Sequence, residues 1–352
     1  MADRILVTGG SGFIAGYCVT ELLDHGYSVR TTVRNSGAPD KSARLRELGD
    51  VEVVSADLSS DTGWSEAMEG CAFVLHVASP FPAAMPKDED DVIRPAVDGT
   101  LRVLRAAADS GTVRRVVLTS SVAAIASGHP RDHGVFTEAD WSVVDAVPAY
   151  EKSKTLAERA AWDFVAALPE GQNFELAVVN PGFVLGPVRH APVGTSANLV
   201  RRLLAREVPA SPPIGLAVVD VRDLAVAHRF AMETPGAAGN RYICAGDNVW
   251  MQDIARILAD DFEGSGFRVP TGRMPAWLIR LAAPFSSEMR QVRFLAGSPV
   301  RVSAQKAHGE LGWSMRPLRE TVVDTATSLI ETGIVQAPAE RATRPPQTAT
   351  KS

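Results

Sequence analysis

Cysteine is scarce: Cys18, Cys71 and Cys244 are the only three in the 352 residues. An odd, widely spaced set matches neither a disulfide framework nor a Cys-x-x-Cys metal or redox motif. These read as small core residues of a protein in a reducing compartment. Basic surplus is absent too, since 36 Lys and Arg stand against 41 Asp and Glu, for a formal net charge of −5. Such a balance leaves nothing to neutralise a phosphate backbone, so nucleic acid is excluded as a main partner and any recognition of anions must be local. No run approaches the roughly 18 apolar residues of a membrane span, and the opening Met1-Ala2-Asp3-Arg4 has no basic region followed by an apolar one. The expectation is a cytoplasmic protein with no membrane partner. No internal repeat is visible. What remains, 45% hydrophobic and 22% charged residues, is ordinary globular composition. The length suits about two domains, or one large α/β domain with an appended lobe, and buries a core without metal or disulfide staples.

The first half alternates short β-branched runs with longer helical patterns, the signature of parallel βαβ units. Strands are expected at Arg4–Thr8, Ser28–Arg34, Val51–Ala56, Ala72–Ala78, Arg115–Thr119 and Phe174–Asn180, with helices over Phe13–His25 and Asp91–Ala108. Their continuous apolar character fits a sheet covered by helices on both faces. After Pro181-Gly182 the pattern loosens into helical segments at Asn198–Glu207, Leu224–Glu233, Met251–Asp260 and Leu318–Thr332, with a returning strand at Arg241–Ala245. The predicted fold is therefore a Rossmann-type α/β doubly wound parallel sheet over residues 1–185, then a smaller C-terminal substrate-binding lobe over 186–335 that lends some elements back to the sheet. Residues 336–352, without periodicity or apolar content, read as a disordered tail.

Directly after the first strand comes Thr8-Gly9-Gly10-Ser11-Gly12-Phe13-Ile14-Ala15-Gly16, opening an apolar helix. Glycines there allow a tight strand-to-helix turn and close approach of backbone to a pyrophosphate, whose charge the free N–H groups of a helix N-terminus favour. Gly9, Ser11, Gly12, Phe13 and Ile14 are thus candidate cofactor contacts. The spacing resembles the Thr-Gly-x-x-Gly-x-x-Gly fingerprint of the extended short-chain dehydrogenases/reductases, with Ala15 in place of the last glycine. At the end of the second strand, where an NAD site usually carries a carboxylate for the ribose 2′-hydroxyl, no acid occurs between Tyr27 and Pro39. Arg34 instead offers a planar fork for a 2′-phosphate, with Lys41 as a second cation, which points to NADP(H). Asp57 and Leu58, after the third strand, stand where adenine is contacted in this fold.

Tyr150-Glu151-Lys152-Ser153-Lys154 sets a Tyr and a Lys four apart on one helix face. A phenol is a poor acid or base at neutral pH, but an adjacent ammonium and a bound nicotinamide cation favour the phenolate, bringing it toward neutrality. Between this pair and the glycine turn lies Thr119-Ser120-Ser121, at the end of the fifth strand. With VTGGSGFIAG, TTVR, HVASP, VVLTSS, YEKSK and NPGFVLGP in place, residues 1 to about 330 resemble the extended short-chain dehydrogenases/reductases, in particular the dihydroflavonol reductase, cinnamoyl-CoA reductase and yeast-type methylglyoxal reductase branch. That resemblance implies NADPH-linked reduction of a carbonyl. In it Tyr150 gives its proton to the carbonyl oxygen, Lys154 binds the ribose hydroxyls and lowers the Tyr pKa, and Ser121 hydrogen-bonds the carbonyl oxygen. Pro181, Gly182 and Val184 wall the nicotinamide, Ala78 and Ser79 lie near the phosphates and ribose, and Thr119 joins the cofactor contacts.

A substrate pocket is expected from Phe81, Val122 and Phe183, on strand-end segments that are small or apolar. Cations that could hold a diphosphate-sugar are thin, namely Arg189, His190, Arg201 and Arg202, so an apolar, aryl or dicarbonyl small molecule is the expected substrate. The partner is thus a small carbonyl compound, and the chain itself a monomer or homodimer. His129 and His133 sit in a polar loop without a third ligand nearby in sequence, so no metal is expected. Gly10-Ser11-Gly12 is followed by Phe13 and is no nucleophile elbow. The remaining alternatives are a sugar-nucleotide epimerase or dehydratase using the same Tyr-Lys pair, a 3β-hydroxysteroid-type dehydrogenase, and a non-catalytic dinucleotide-binding protein.

Overall fold

The computed structural model describes residues 3–37, 39–80, 88–130, 132–282, 296–297 and 299–337. Its centre is an all-parallel sheet of seven strands in the order β3-β2-β1-β4-β5-β6-β9. They are β1 (Arg4–Val7), β2 (Ser28–Val33), β3 (Val51–Ser55), β4 (Cys71–His76), β5 (Arg115–Thr119), β6 (Glu175–Pro181) and β9 (Arg241–Cys244). Alternation on each strand feeds two cores. Ile5 and Val7 of β1, Val117 of β5 and Ala177 and Val179 of β6 join a cluster with α1 (Phe13–Asp24) and α7 (Val221–Glu233). Leu6, Val116, Leu118, Leu176 and Val178 face the other way, against α3 (Trp64–Met68), α4 (Asp90–Ser110) and α5 (Ala149–Ala166). The doubly wound fold read from the sequence is the fold observed. Cys18, Cys71 and Cys244 are buried in these layers as thiols.

A second sheet, missed in the sequence, has three strands in the order β10-β8-β7: β7 (Phe183–Leu185), β8 (Gly215–Asp220) and β10 (Asn248–Trp250). With α6 (Thr195–Leu204), α8 (Met251–Phe262) and α11 (Leu318–Glu331) it encloses a separate apolar cluster around Leu185, Val218, Leu258 and Leu329. Two further helices, α9 (Ala276–Ala282) and α10 (Gln305–Leu311), precede α11, and α2 (Pro39–Arg46) follows β2. Helix α11 holds the start of the lobe in place, because Thr325 Oγ1 accepts from Gly186 N at 2.7 Å and Ser328 Oγ from Val188 N at 2.7 Å. The expected tail falls, from residue 338 on, outside the described residues.

Strand order reverses between β1 and its two neighbours, β2 and β4. In open α/β sheets such a switch point leaves a crevice beyond the carboxyl ends of the strands, where ligands bind. Every motif singled out in the first half of the chain lies at that edge.

Candidate active site

The glycine turn joins β1 to α1 at the switch point. Gly9 has φ +73°, a left-handed backbone, and a Cβ there would lie 2.9 Å from Cβ of Ala78. Gly10 is tighter, since a Cβ would come within 2.2 Å of Thr31 Oγ1, which donates to the Val7 carbonyl at 2.7 Å. The turn is pinned by Gly9 N to Thr32 Oγ1 and Gly10 N to the Thr32 carbonyl, both 2.9 Å. Helix α1 starts from Gly12 without a side-chain cap and without an acid in its first turn, which leaves its first N–H groups open to an anion. Ser11 and Gly12 are exposed, Phe13 and Ile14 half-buried, and Ala15 fully buried against the core, where its methyl is accommodated. This is a cradle that fits a dinucleotide pyrophosphate.

Beside it, Thr8 Oγ1 accepts from Ala78 N and meets His76 Nδ1, each at 2.9 Å, so the chain after β4 is tied to the glycine turn. Ser79 follows, and its hydroxyl accepts from Lys154 Nζ at 3.0 Å. Arg34 is exposed at the end of β2 and makes no hydrogen bond or ion pair among the described residues, while its charge helps to lower the Asp57 carboxyl. That lowering comes first from the Ser59 N–H and hydroxyl, which bond Asp57 Oδ1 at 2.8 and 2.7 Å. Leu58 packs over Gly99 of α4. Lys41 is on α2, but its side chain, like all of Phe81, lies outside the described residues.

Across the edge, the Tyr150 and Ser121 hydroxyls share a hydrogen bond. Ser121 is extended (φ −165°) and its Oγ also accepts from Ala123 N at 3.1 Å, which caps the short turn that follows β5. Burial, with the Glu151 carboxylate next in sequence, pushes the Tyr150 phenol up to about 12 against the pull of Ser121. Among the chain's own groups the Lys154 ammonium is directed to Ser79; the expected lowering of the phenol involves a bound nicotinamide as well as Lys154. Lys154 is brought down to about 8 by burial, opposed by Glu158.

Of the other candidates, Pro181 is buried and Gly182 is forced by close approach, since a Cβ would sit 1.9 Å from the Ala217 carbonyl oxygen of β8. Val184 points into the core, and Thr119 gives its hydroxyl to buried His228 Nε2 at 2.7 Å, so neither side chain faces the crevice. Val122 and Phe183 are half-buried. Arg201 pairs with Glu207 at 2.7 Å and Arg202 with the same carboxylate at 3.8 Å, while Arg189 lies over the Tyr17 ring at 4.0 Å. His133 stacks on Phe136 with His129 tilted against both rings, and no group of three or more His, Cys, Asp or Glu that could hold a metal occurs among the described residues.

A glycine cradle at the switch point is thus faced by the Ser121–Tyr150 pair and the half-buried Lys154. The family model described as "NAD dependent epimerase/dehydratase family" matches residues 5–245. The chain belongs to that family. It is 34% identical to cinnamoyl-CoA reductase 1 of Petunia hybrida over 346 residues, covering 96% of this chain and 95% of the relative. With an anthocyanidin reductase of Vitis vinifera it shares 34% over 284 residues, 75% of this chain and 82% of the relative. Among solved structures, yeast methylglyoxal/isovaleraldehyde reductase complexed with NADPH superposes with a TM-score of 0.78 at 29% identity, covering 94% of this chain and 99% of that one. These are the extended short-chain dehydrogenases/reductases that the motifs resemble. Family membership embraces both reductases and epimerases, so the choice between them rests on the site.

The sequence reading missed what lies beneath the site. His76, inside HVASP, links to Thr8, and His228 of α7 to Thr119. Glu158, four residues after Lys154 on α5, is fully buried, bound by Ser120, Asn180 and Arg241. The four-residue spacing was the available signal for Glu158; its partners come from β5, β6 and β9 and carry no local pattern.

Proposed function

We propose that this chain is an NADPH-dependent reductase that converts an aldehyde or ketone to the alcohol. The observation that carries it is the Tyr150–Ser121 hydrogen bond at the strand edge, with Lys154 held against Ser79 opposite a dinucleotide cradle. The reductase relatives, similar over nearly the whole chain, and the NADPH-bound neighbour support it. A nicotinamide held at the cradle would supply the hydride for the carbonyl carbon. Tyr150, protonated well above neutral pH, supplies the proton to the oxygen, and Ser121, bonded to the same phenol, holds that oxygen in line. Lys154 binds the ribose and brings positive charge to the edge where negative charge develops. Arg34, exposed and without a partner among the described residues, is available for the 2′-phosphate. Its freedom favours a dissociable NADPH over a cofactor retained through an epimerase cycle. The Val122 and Phe183 side of the expected pocket, with Arg201, Arg202 and Arg189 already engaged, favours an apolar or aryl carbonyl, or a dicarbonyl, over a diphosphate-sugar. We assign residues 186–335 to the substrate side.

The test is loss of NADPH absorbance across a panel of aldehydes, α-dicarbonyls, β-keto esters and aryl ketones, with Tyr150→Phe alongside. Expected are turnover by the wild type and a fall of at least ~10²-fold in kcat for the variant, with NADPH still bound. Retained activity in Tyr150→Phe removes the proton donor. Interconversion of a nucleotide sugar without cofactor consumption, and no reduction across the panel, makes the protein an epimerase instead.

A further inference from the structure

A fully buried carboxylate lies one helical turn behind Lys154. Glu158 Oε2 accepts from Ser120 Oγ at 2.5 Å and from Asn180 Nδ2 at 2.8 Å, and Oε1 from Arg241 Nε at 2.5 Å and Trp162 Nε1 at 3.4 Å. Its donors stand on the ends of β5 and β6, on β9 and on α5 itself. Asn180 Nδ2 also donates to the Ser121 carbonyl at 3.2 Å. Arg241 is fixed in turn, bonded to the carbonyls of Glu138 and Asp140 at 3.0 and 2.7 Å and stacked over Trp141 at 3.8 Å. Taking an ion pair this far from water is expensive, and an apolar pair of similar volume would hold the layers together as well. What an apolar pair could not do is gather the two residues flanking the catalytic turn and set a negative charge beside the lysine.

We propose that Glu158, paired with Arg241, is a positioning residue for the Ser121–Tyr150–Lys154 centre: it fixes the Ser120-Ser121 backbone through Ser120 and Asn180, and its carboxylate, one helical turn from Lys154, is the counter-charge to that ammonium. The inference rests on the proposed function. Ser79 accepts the Lys154 proton bond from the segment after β4, His76 approaches from β4 as a neutral imidazole, and Tyr150, Glu151 and Glu158 share the lysine's helix. Burial brings Lys154 down to about 8, and Glu158 is the group that offsets part of that lowering.

Two variants of the full chain separate the effects. Glu158→Gln with Arg241→Gln removes both charges and leaves polar side chains able to bond each other, Ser120 and Asn180. The pH dependence of acylation at Lys154, read by peptide mass spectrometry without turnover, is expected to move down by roughly one unit. Glu158→Asp keeps the charge and withdraws the oxygens from Ser120 and Asn180. Its Lys154 titration is expected to stay at the wild-type position, while kcat falls roughly tenfold or more with the carbonyl KM within a few-fold. An unshifted titration in the double variant, or wild-type kcat in Glu158→Asp, overturns the proposal; if the double variant does not fold, Glu158→Asp alone decides. Failure of the functional reading is seen separately, as retained turnover in Tyr150→Phe, and does not touch the acylation measurement.

Discussion

In the proposed reaction Tyr150 holds a proton at neutral pH and gives it up at the moment hydride arrives. Burial and Glu151 secure the first by keeping the phenol at about 12, and the second is left to groups that arrive with the reaction. The lysine four residues on donates to Ser79, a contact across the strand edge that no local pattern foretold. Arg34 is the reverse case, a residue whose proposed role depends on having no partner among the described residues. A charge-assisted bidentate contact to a 2′-phosphate contributes roughly 1.5–3 kcal/mol, so NADPH is expected to be preferred over NADH by about 10- to 100-fold. Arg34→Ala is expected to erase most of that ratio by weakening NADPH alone. Equal use of the two cofactors by the wild type, measured as kcat/KM, would make Arg34 a solvated strand-end residue.

At the scale of elements, the turn between β1 and α1 shows which glycines the architecture requires. Gly10 backs onto Thr31, whose hydroxyl already bridges β2 to the Val7 carbonyl, so an added methyl must separate β1 from β2 just where the cradle forms. Gly10→Ala is expected to cost about 1–3 kcal/mol of overpacking and to weaken NADPH binding with it. Gly16 sits two residues farther into α1 than Ile14, and its nearest neighbours to a new Cβ are Arg189 Nη1 and the Gly10 carbonyl oxygen, both at 4.0 Å. Gly16→Ala should therefore be tolerated, and its higher helix propensity, worth up to about 1 kcal/mol, should raise the unfolding midpoint. Urea melts of the two variants, with NADPH fluorescence titrations, test the contrast; equal effects would refute it. The same turn shows why much was legible in the sequence. Strands β1 to β6 and helix α1 are written in contiguous apolar runs bounded by glycine or polar turns, and so are their functional ends. Strands β7, β8 and β10 are three to six residues long and paired across distant segments, so their apolar content could not be told from the helices around them. The requirement for Gly182 comes from the Ala217 carbonyl of β8, outside any local window.

Across the whole molecule, two buried imidazoles couple the layers of the nucleotide-binding half to pH. His228 of α7 donates from Nδ1 to the Leu224 carbonyl at 2.8 Å and accepts the Thr119 hydroxyl proton at Nε2, a fully used neutral tautomer joining helix to sheet. His76 ties β4 to the residue following β1 through Thr8, and its buried Nε2 has no partner among the described residues. Burial holds His228 at about 4 and, helped by the nearby Lys154 charge, His76 at about 3, both below the ordinary 6.5. A folded-state pKa below the unfolded value means that the unfolded chain binds more protons between the two. Stability from these groups is therefore complete above about 6.5 and is lost as pH falls toward 4 and 3. Each contributes roughly 1.4 kcal/mol per pH unit while it titrates, so about 4 kcal/mol should disappear between pH 6.5 and 4.5. Glu151, whose carboxyl burial pushes up, works the other way near its own range, and Asp57, held low, acts only below this window. Against a typical domain stability of about 5–15 kcal/mol, the loss should bring the protein close to unfolding in mild acid. Urea midpoints at pH 7, 5.5 and 4.5 measure it, and His228→Gln, which keeps a hydrogen-bonding side chain but cannot titrate, should remove about half of the slope. A midpoint that does not change between pH 7 and 4.5 would mean that the two imidazoles are exposed to water often enough to protonate without unfolding.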